Sequence, residues 1–397
     1  MRRSWLAAVA AAALALPACN SSAGGAQGMG SWTTVGRMHT AREGGGAGLG
    51  TATARLGDGR VLVAGGYRSL SGRFERNATF YLEKTEIFDP ATGKWQMTGS
   101  MNQPRFGAAV VTLPKTGKVL AAGGSAGDDG VISPSAELYD PATGAWTFTL
   151  PMAACRVSPS ASVLASGDVL VVGGVGCDGA AQTTAELYRS TSGEWVPAAP
   201  MATPRWGHSA TVLADGRVLV AGGRSTAVGA PTEKVEASAE IYDPAADRWS
   251  PAAPMHEGRV LHAAGLLSSG EVVVAGGHPQ NPSDPHAATA SAELYDARAN
   301  AWTKTGSMHA GREEGGSAVL EDGTFLMAGG GQQASAEIFR PSTGTWSLTE
   351  PMSTIHDDAQ LTVLPAGDVL IAGGFVFGSH NSYRNTDVAE LFHPQKG

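Results

Sequence analysis

Arginine stands four residues after a methionine at six places: Arg42, Arg105, Arg156, Arg205, Arg259 and Arg312. At a seventh place the same position holds His356, followed by Asp357 and Asp358. Guanidinium groups at one repeat position can do either of two things. Brought to a common mouth, they form a cationic ring that grips carboxylates through paired N–H donors. Kept apart, each pairs with a glutamate that recurs once per unit and serves the scaffold. Equal repetition speaks for the scaffold, and His356 speaks for the ring. Phe106 and Trp206, directly after Arg105 and Arg205, do not repeat. They would offer aromatic faces to a sugar or peptide, or pack between units. The candidate ligand-binding set is therefore Arg105, Phe106, Arg156, Arg205, Trp206, Arg259, Arg312 and His356. No residue is assigned a catalytic role.

Other chemistry is sparser. The segments Tyr67 to Lys84 and Phe375 to Arg384 mix aromatic and basic residues, a composition suited to recognition as well as to solvated loops. His278, Asp284 and His286 share one segment, but Pro279, Pro282 and Pro285 bend it and the spacing matches no zinc motif. His208 and His262 occupy repeat positions. G-x-S-x-G, H-E-x-x-H and P-loop patterns are absent. Neither a metal nor a cofactor is expected.

The elements that must position these residues are repeats. A Gly-Gly pair closes an apolar run at 65, 123, 173, 222, 276, 329 and 373. A glutamate follows each: Glu86, Glu137, Glu186, Glu240, Glu293, Glu337 and Glu390. Nine residues after each of the first six comes tryptophan, and six residues later methionine, as in Trp249 and Met255. The fourth unit predicts four strands: Arg205 to Leu213, Val218 to Ala221, Ala239 to Tyr242, and one beginning at Trp249. Asp215-Gly216 and Asp243-Pro244 are the turns between them. A seventh third strand begins at Glu390 with no tryptophan after it, while Trp32 stands six residues before Met38 without strands of its own. The stretch around Trp32 is therefore expected to complete the last unit.

Gly-Gly, an aromatic after Glu and a spaced Trp, in units of about 50 residues, resemble the kelch repeat. The resemblance covers residues 31–397. It implies an all-β fold: a seven-bladed kelch-type β-propeller of four-stranded blades, its ring closed by the N-terminal strand. From the second Gly to the Glu the spacing runs 20, 13, 12, 17, 16, 7 and 16 residues, while most other segments hold their length. These variable connections share one face, the expected binding face if their variation is more than length drift.

The chain has 397 residues, a net charge of −8 and 54 glycines, with no cluster of Lys and Arg of the kind a nucleic-acid face requires. Arg2, Arg3 and the apolar run from Trp5 to Leu16 read as an export signal, residues 1–18, too short to span a bilayer. Leu16-Pro17-Ala18-Cys19 resembles a bacterial lipobox. Cys19 would then carry lipid at the head of a flexible tether, residues 19–30. Plain secretion is the alternative. Asn20 lacks the aspartate resembling an inner-membrane retention signal, which points to the outer membrane. Cys155 and Cys177 lie symmetrically about Ser166 in one predicted hairpin, placing them as a disulfide pair.

The resemblance implies a monomeric, non-catalytic module in the bacterial envelope or outside the cell. It would bind a protein, peptide or glycan and touch the membrane only through its lipid. Two enzyme alternatives come with the family. Galactose-oxidase-like propellers hold copper through tyrosines and histidines, including a Tyr-His pair that this sequence lacks, and a Cys cross-linked to Tyr. Exported sialic-acid epimerases use arginine on the substrate carboxylate, a role open to Arg105 to Arg312, with Asp357 or Glu313 as base. A purely structural envelope lipoprotein is the third possibility.

Overall fold

In the computed structural model the described residues are 29–42, 52–72, 75–126, 131–230, 233–280, 288–378 and 382–395. The proposed signal, Cys19 and most of the tether fall outside them. Seven four-stranded antiparallel sheets follow one another along the chain. The innermost strands are short and small-residue-rich: Ala52–Arg55, Ala109–Thr112, Ser160–Val163, Ser209–Val212, Ala263–Leu266, Gly316–Val319 and Leu361–Val363. Each touches the next around a circle, and Ala52–Arg55 meets Leu361–Val363. The protein is a seven-bladed propeller.

The second strands explain why the blades stack. Val61–Ala64, Val119–Ala122, Val169–Val172, Val218–Ala221, Val272–Ala275, Phe325–Ala328 and Val369–Ala372 are buried at every position. A strand apolar on both faces suits a sheet sandwiched between two others. The recurring methionines plug the spaces between sheets: Met38, Met101, Met152, Met201, Met255, Met308 and Met352 are all buried. Within blades, the aromatic of the third strand packs on the tryptophan of the fourth, as in Tyr242 against Trp249 with ring centres 5.1 Å apart. Trp32 meets Phe392 in the same way at 5.0 Å.

Closure is direct. Gly30–Thr34 pairs with Ala389–Pro394 and supplies the fourth strand of blade seven. Blades one and seven also raise extra hairpins after their Gly-Gly pairs, Tyr67–Gly72 with Glu75–Tyr81 and Phe375–Gly378 with Ser382–Asn385. The two hairpins touch each other. Cys155 and Cys177 are joined by a disulfide, their Cα atoms 5.7 Å apart. They continue the register in which Ser160 faces Val172 and Val157 faces Val175.

One strand differs from expectation. The first strand of blade four starts at Ser209, not at Arg205. Gly207 takes φ +63°, a left-handed turn that an extended strand cannot include, so Arg205 and Trp206 belong to the connection arriving from blade three.

The first glycine of each Gly-Gly pair sits against the following blade. A Cβ on Gly123 (φ +72°) would lie 2.5 Å from the Arg156 carbonyl oxygen, whereas one on Gly117 (φ +70°) would meet nothing within 4 Å. Both positions disfavour alanine by backbone conformation, about 1 kcal/mol each; only Gly123 adds a collision between blades. In urea unfolding, Gly117→Ala is expected to cost about 1 kcal/mol and Gly123→Ala about 3 kcal/mol or more. Equal losses would show that the contact contributes nothing.

Candidate functional site

The recurring arginines are not a ring of ligand donors. Arg42, Arg105, Arg156, Arg205, Arg259 and Arg312 are at most 2% exposed. Each lies inside its blade against its glutamate: Arg105 to Glu137 at 3.0 Å, Arg156 to Glu186 at 3.2 Å, Arg205 to Glu240 at 3.2 Å, Arg259 to Glu293 at 3.1 Å, and Arg312 to Glu337 at 3.1 Å. Each also donates to the first Gly-Gly carbonyl and to a second backbone carbonyl, as Arg205 does to Gly222 and Ser238 at 2.7 and 2.9 Å. The glutamate also accepts the backbone N–H groups after the methionine: Glu240 takes Ala202 on Oε2 and Thr203 on Oε1, the oxygen it shares with Arg205. Burial lowers the pKa of Arg105, Arg156, Arg205 and Arg312, and the paired carboxylate works against that shift. Held by these acceptors and buried, the guanidinium is out of a ligand's reach even where its Nε lacks a partner, as in Arg156, Arg205 and Arg259; this corrects the reading of Arg105, Arg156, Arg205, Arg259 and Arg312 as binding residues.

His356 is corrected likewise. It is fully buried, with Nδ1 at 2.7 Å from the Gly373 carbonyl and Nε2 at 3.1 Å from Glu390. Its two nitrogens meet the same kinds of partner, a Gly-Gly carbonyl and the glutamate, that the guanidinium meets in the other blades. It takes the arginine's place in blade seven rather than opening a site.

Immediately after each clamp the chain reaches the channel mouth. There the next residue pairs with the one following Gly-Gly: Phe106 with Ser125, Val157 with Val175, Trp206 with Arg224, Val260 with His278, Asp357 with Phe375. The following position takes a left-handed conformation at Gly107, Ser158, Gly207, Leu261, Glu314 and Asp358. Several of these link by N–H to carbonyl bonds from blade to blade: Leu261 to Gly207, Glu314 to Leu261, and Asp358 to Glu314 at 2.9, 3.2 and 2.9 Å. Non-glycine residues held there carry strain, which concentrates at functional sites. The geometry of this rim repeats; its chemistry does not.

On one side the rim is aromatic. Phe106 packs edge-on against Tyr67 at 4.9 Å and near Tyr81 at 5.9 Å. From blade four to blade seven it is ionisable. Trp206 donates its indole N–H to the Thr226 carbonyl at 3.1 Å, and the Arg224 guanidinium lies 5.3 Å above its ring. Arg224 is ion-paired to Glu233 at 2.8 Å. His278 in turn contacts the Glu313 carboxylate through Nε2. Asp357, 2% exposed, accepts the Gln332 backbone N–H at 2.9 Å and its side-chain amide through one oxygen, while its Oδ1 has no hydrogen-bond partner. Burial, then the Asp357 charge, push Glu313 up to about 8 against the pull of Arg224. Burial pushes Asp357 up to about 7; the Gln332 and Gly330 amides and Arg312 oppose this, and Asp358 adds to it. Sequence reasoning placed Trp206 here and named Glu313 and Asp357 as a possible base, but missed Arg224 and Gln332. Superposing the units on their Gly-Gly pairs would have shown Arg224 at the rim position and Gln332 one residue beyond it.

Below the mouth lies a central channel of about 770 Å³ lined largely by small and hydroxyl side chains. His208 and His262 line it, hydrogen-bonded through Nε2 to Ser160 and Ser209, each at 2.9 Å. Burial and the adjacent arginine charges pull both down to about 3. A smaller cavity, about 410 Å³, opens at the opposite face beside the Asp215-Gly216 and Asp243-Pro244 turns.

The model of the Kelch motif matches residues 205–256, one Arg-to-Met repeat unit. Over 88 residues, 22% of this chain, the sequence is 32% identical to Kelch-like protein 26 of Danio rerio, and it spans only 14% of that protein. The chain is a kelch-repeat β-propeller. Among solved structures this kelch propeller is similar in fold to a fungal alcohol oxidase of the AA5 family in complex with copper, with a TM-score of 0.65 and 17% identity. The match covers 92% of this chain and 76% of that one. Copper donors of that kind do not fit here. Among the described residues no three His, Cys, Asp or Glu side chains group to hold a metal, and Cys155 and Cys177 are bonded to each other. Tyr139, Tyr188, Tyr242 and Tyr295 are buried against tryptophans inside the blades.

Removing one partner of a clamp strands a buried charge, so Arg205→Ala is expected to cost about 3–5 kcal/mol in urea unfolding. A loss below about 1 kcal/mol would return Arg205 to the candidate ligands. The two channel histidines have folded pKa values below the free imidazole's, so the stability they supply is present above about 6.5 and drains as pH falls toward 3. From pH 7 to pH 4 the melting temperature of the unaltered chain should therefore decline relative to that of a His208→Gln/His262→Gln variant. An unchanged slope in that variant would contradict the assignment.

Proposed function

We propose that this propeller is an extracytoplasmic binding module that takes a protein partner on its long-loop face, at the rim built by blades four to seven. One observation carries the reading. Six blades repeat the same arginine clamp and blades two to seven the same left-handed rim turn, yet Trp206, Arg224, His278, Glu313 and Asp357 put non-repeating chemistry at neighbouring rim positions. A scaffold has no need of that departure. An aromatic face, a guanidinium and carboxyls together are what recognition surfaces enrich at their centres. The flanking connections vary in length from blade to blade, as binding loops on rigid scaffolds do. The export signal at residues 1–18 and the lipobox cysteine Cys19 support a location in the bacterial envelope.

A second reading, acid–base chemistry on a sugar, draws on Glu313 and Asp357. Carboxyls at about 8 and about 7 change protonation near neutral pH, where a general acid or base works best. Proton exchange at a sialic-acid carbon, followed by proton NMR in deuterated water, tests it. Label incorporation that Asp357→Asn abolishes would establish catalysis, and no incorporation would exclude that substrate.

For the binding reading, the test is retention of one identified envelope protein by immobilised full chain. Trp206→Ala and Arg224→Ala should each weaken it at least about tenfold with the melting temperature nearly unchanged. Arg217→Ala, on the opposite face, should bind as the unaltered chain does. Equal binding by all three variants, or loss confined to Arg217→Ala, would overturn the assignment.

A further inference from the structure

The corner between blades six and seven holds two carboxyl groups whose needs the protein does not meet. The Glu313 side chain is 23% exposed and reaches solvent, and Asp357 lies deeper. The Asp357 charge disfavours ionisation of Glu313, and the Asp358 charge disfavours that of Asp357. The local cations are already committed. Arg312 is paired with Glu337, and Arg224 with Glu233 and the Trp206 face. His278 is the one further basic group in contact with Glu313. Asp358 and Glu314 follow in the next two left-handed rim positions and add negative potential. The Oδ1 of Asp357 is buried without a hydrogen-bond partner, a state that costs about 1–3 kcal/mol unless something donates to it.

We propose that the Glu313–Asp357 corner seats a basic side chain, a guanidinium or ammonium, presented by the protein partner. This rests on the binding reading above and names the chemistry of its central contact. A cation with several N–H donors would pair with Glu313 at the solvent edge and, from there, favour the ionised form of Asp357 buried behind it. A bare metal ion is a poorer occupant, because the described residues offer no three-ligand group. The protons that the two carboxyls hold near neutral pH must leave to solvent when the cation seats, so binding and proton release are one event.

Calorimetry on the full chain provides the test, with acetyl-Gly-Arg-Gly-amide, acetyl-Gly-Lys-Gly-amide and the neutral acetyl-Gly-Gln-Gly-amide as probes. Runs in buffers of different ionisation heat count the protons. The basic peptides should bind at least about tenfold more tightly at pH 8.5 than at pH 6, releasing up to about two protons at pH 6 and few at pH 8.5, while the glutamine peptide does not bind. A stronger arginine arm would identify a guanidinium, and a stronger lysine arm an ammonium. Glu313→Gln and Asp357→Asn keep shape and remove charge; each should weaken binding at least about tenfold and flatten the pH dependence. Basic-peptide binding that ignores pH, that survives both substitutions, or that is absent would overturn the proposal. If the envelope protein still depends on Trp206 and Arg224 in that event, the binding reading stands and only its cationic contact falls.

The same variants have a second readout. Raised folded pKa values mean that stability, full below the free carboxyl range near about 4, is lost as pH climbs from there to about 7 and 8. The melting temperature should fall between pH 6 and pH 9, and Glu313→Gln/Asp357→Asn should flatten that fall. An equally steep fall in the double variant would contradict the raised values.

Discussion

The rest of this molecule depends on a buried ion pair that touches two blades at once. Each arginine side chain ties the incoming connection to its own blade through Glu and the Gly-Gly carbonyl. The same arginine's backbone carbonyl accepts the N–H of the second glycine in the preceding blade, as Arg259 does from Gly223 at 2.7 Å. Taking charges out of water is expensive, and here the cost is offset because nearly every donor finds an acceptor of fixed geometry. The first glycine has no Cβ because the carbonyl of the next blade occupies that space. Arginine, glutamate and Gly-Gly are thus three parts of one joint. That interdependence explains why they repeat together and why the arginines are unavailable to ligands.

A joint that repeats seven times makes the rim backbone uniform, and uniformity makes departures informative. In five blades the residue after the clamp and the residue after Gly-Gly face each other at the mouth, so their side chains can vary without disturbing the ring. In blades two and three the partners are Phe106 with Ser125 and Val157 with Val175; in blades four to seven they include Trp206, Arg224, His278 and Asp357. The scaffold holds these groups rigidly, which is what gives carboxyls near neutral pKa a defined environment rather than an average one.

Much of the fold could be read from the sequence because each repeat carries its own punctuation. The apolar run before Gly-Gly marks the doubly covered strand, and Asp-Gly and Asp-Pro mark turns. The partial unit at Trp32 pointed to Ala389–Pro394, where it pairs. The arginines were less legible. Spacing shows that Arg205 and Glu240 repeat together, but whether they meet each other or a ligand depends on burial, which only the stacked blades supply. The start at Ser209 was missed because Trp206-Gly207 reads as extended until the left-handed turn is seen. Arg224 and Gln332 stand within two residues of a Gly-Gly pair, so the repeat register reaches them, but what their side chains meet shows only once the rim is built.

The most direct test of closure by these joints is hydrogen exchange at the Gly374 amide. Its acceptor, the Arg42 carbonyl at 2.9 Å, belongs to blade one, so this bond spans the seam. If the joints act alike, Gly374 will exchange only through global unfolding, with the same opening free energy as Gly223 in the middle of the chain. Exchange at Gly374 orders of magnitude faster than at Gly223 would mean that the seam opens independently and the ring is not held in this way.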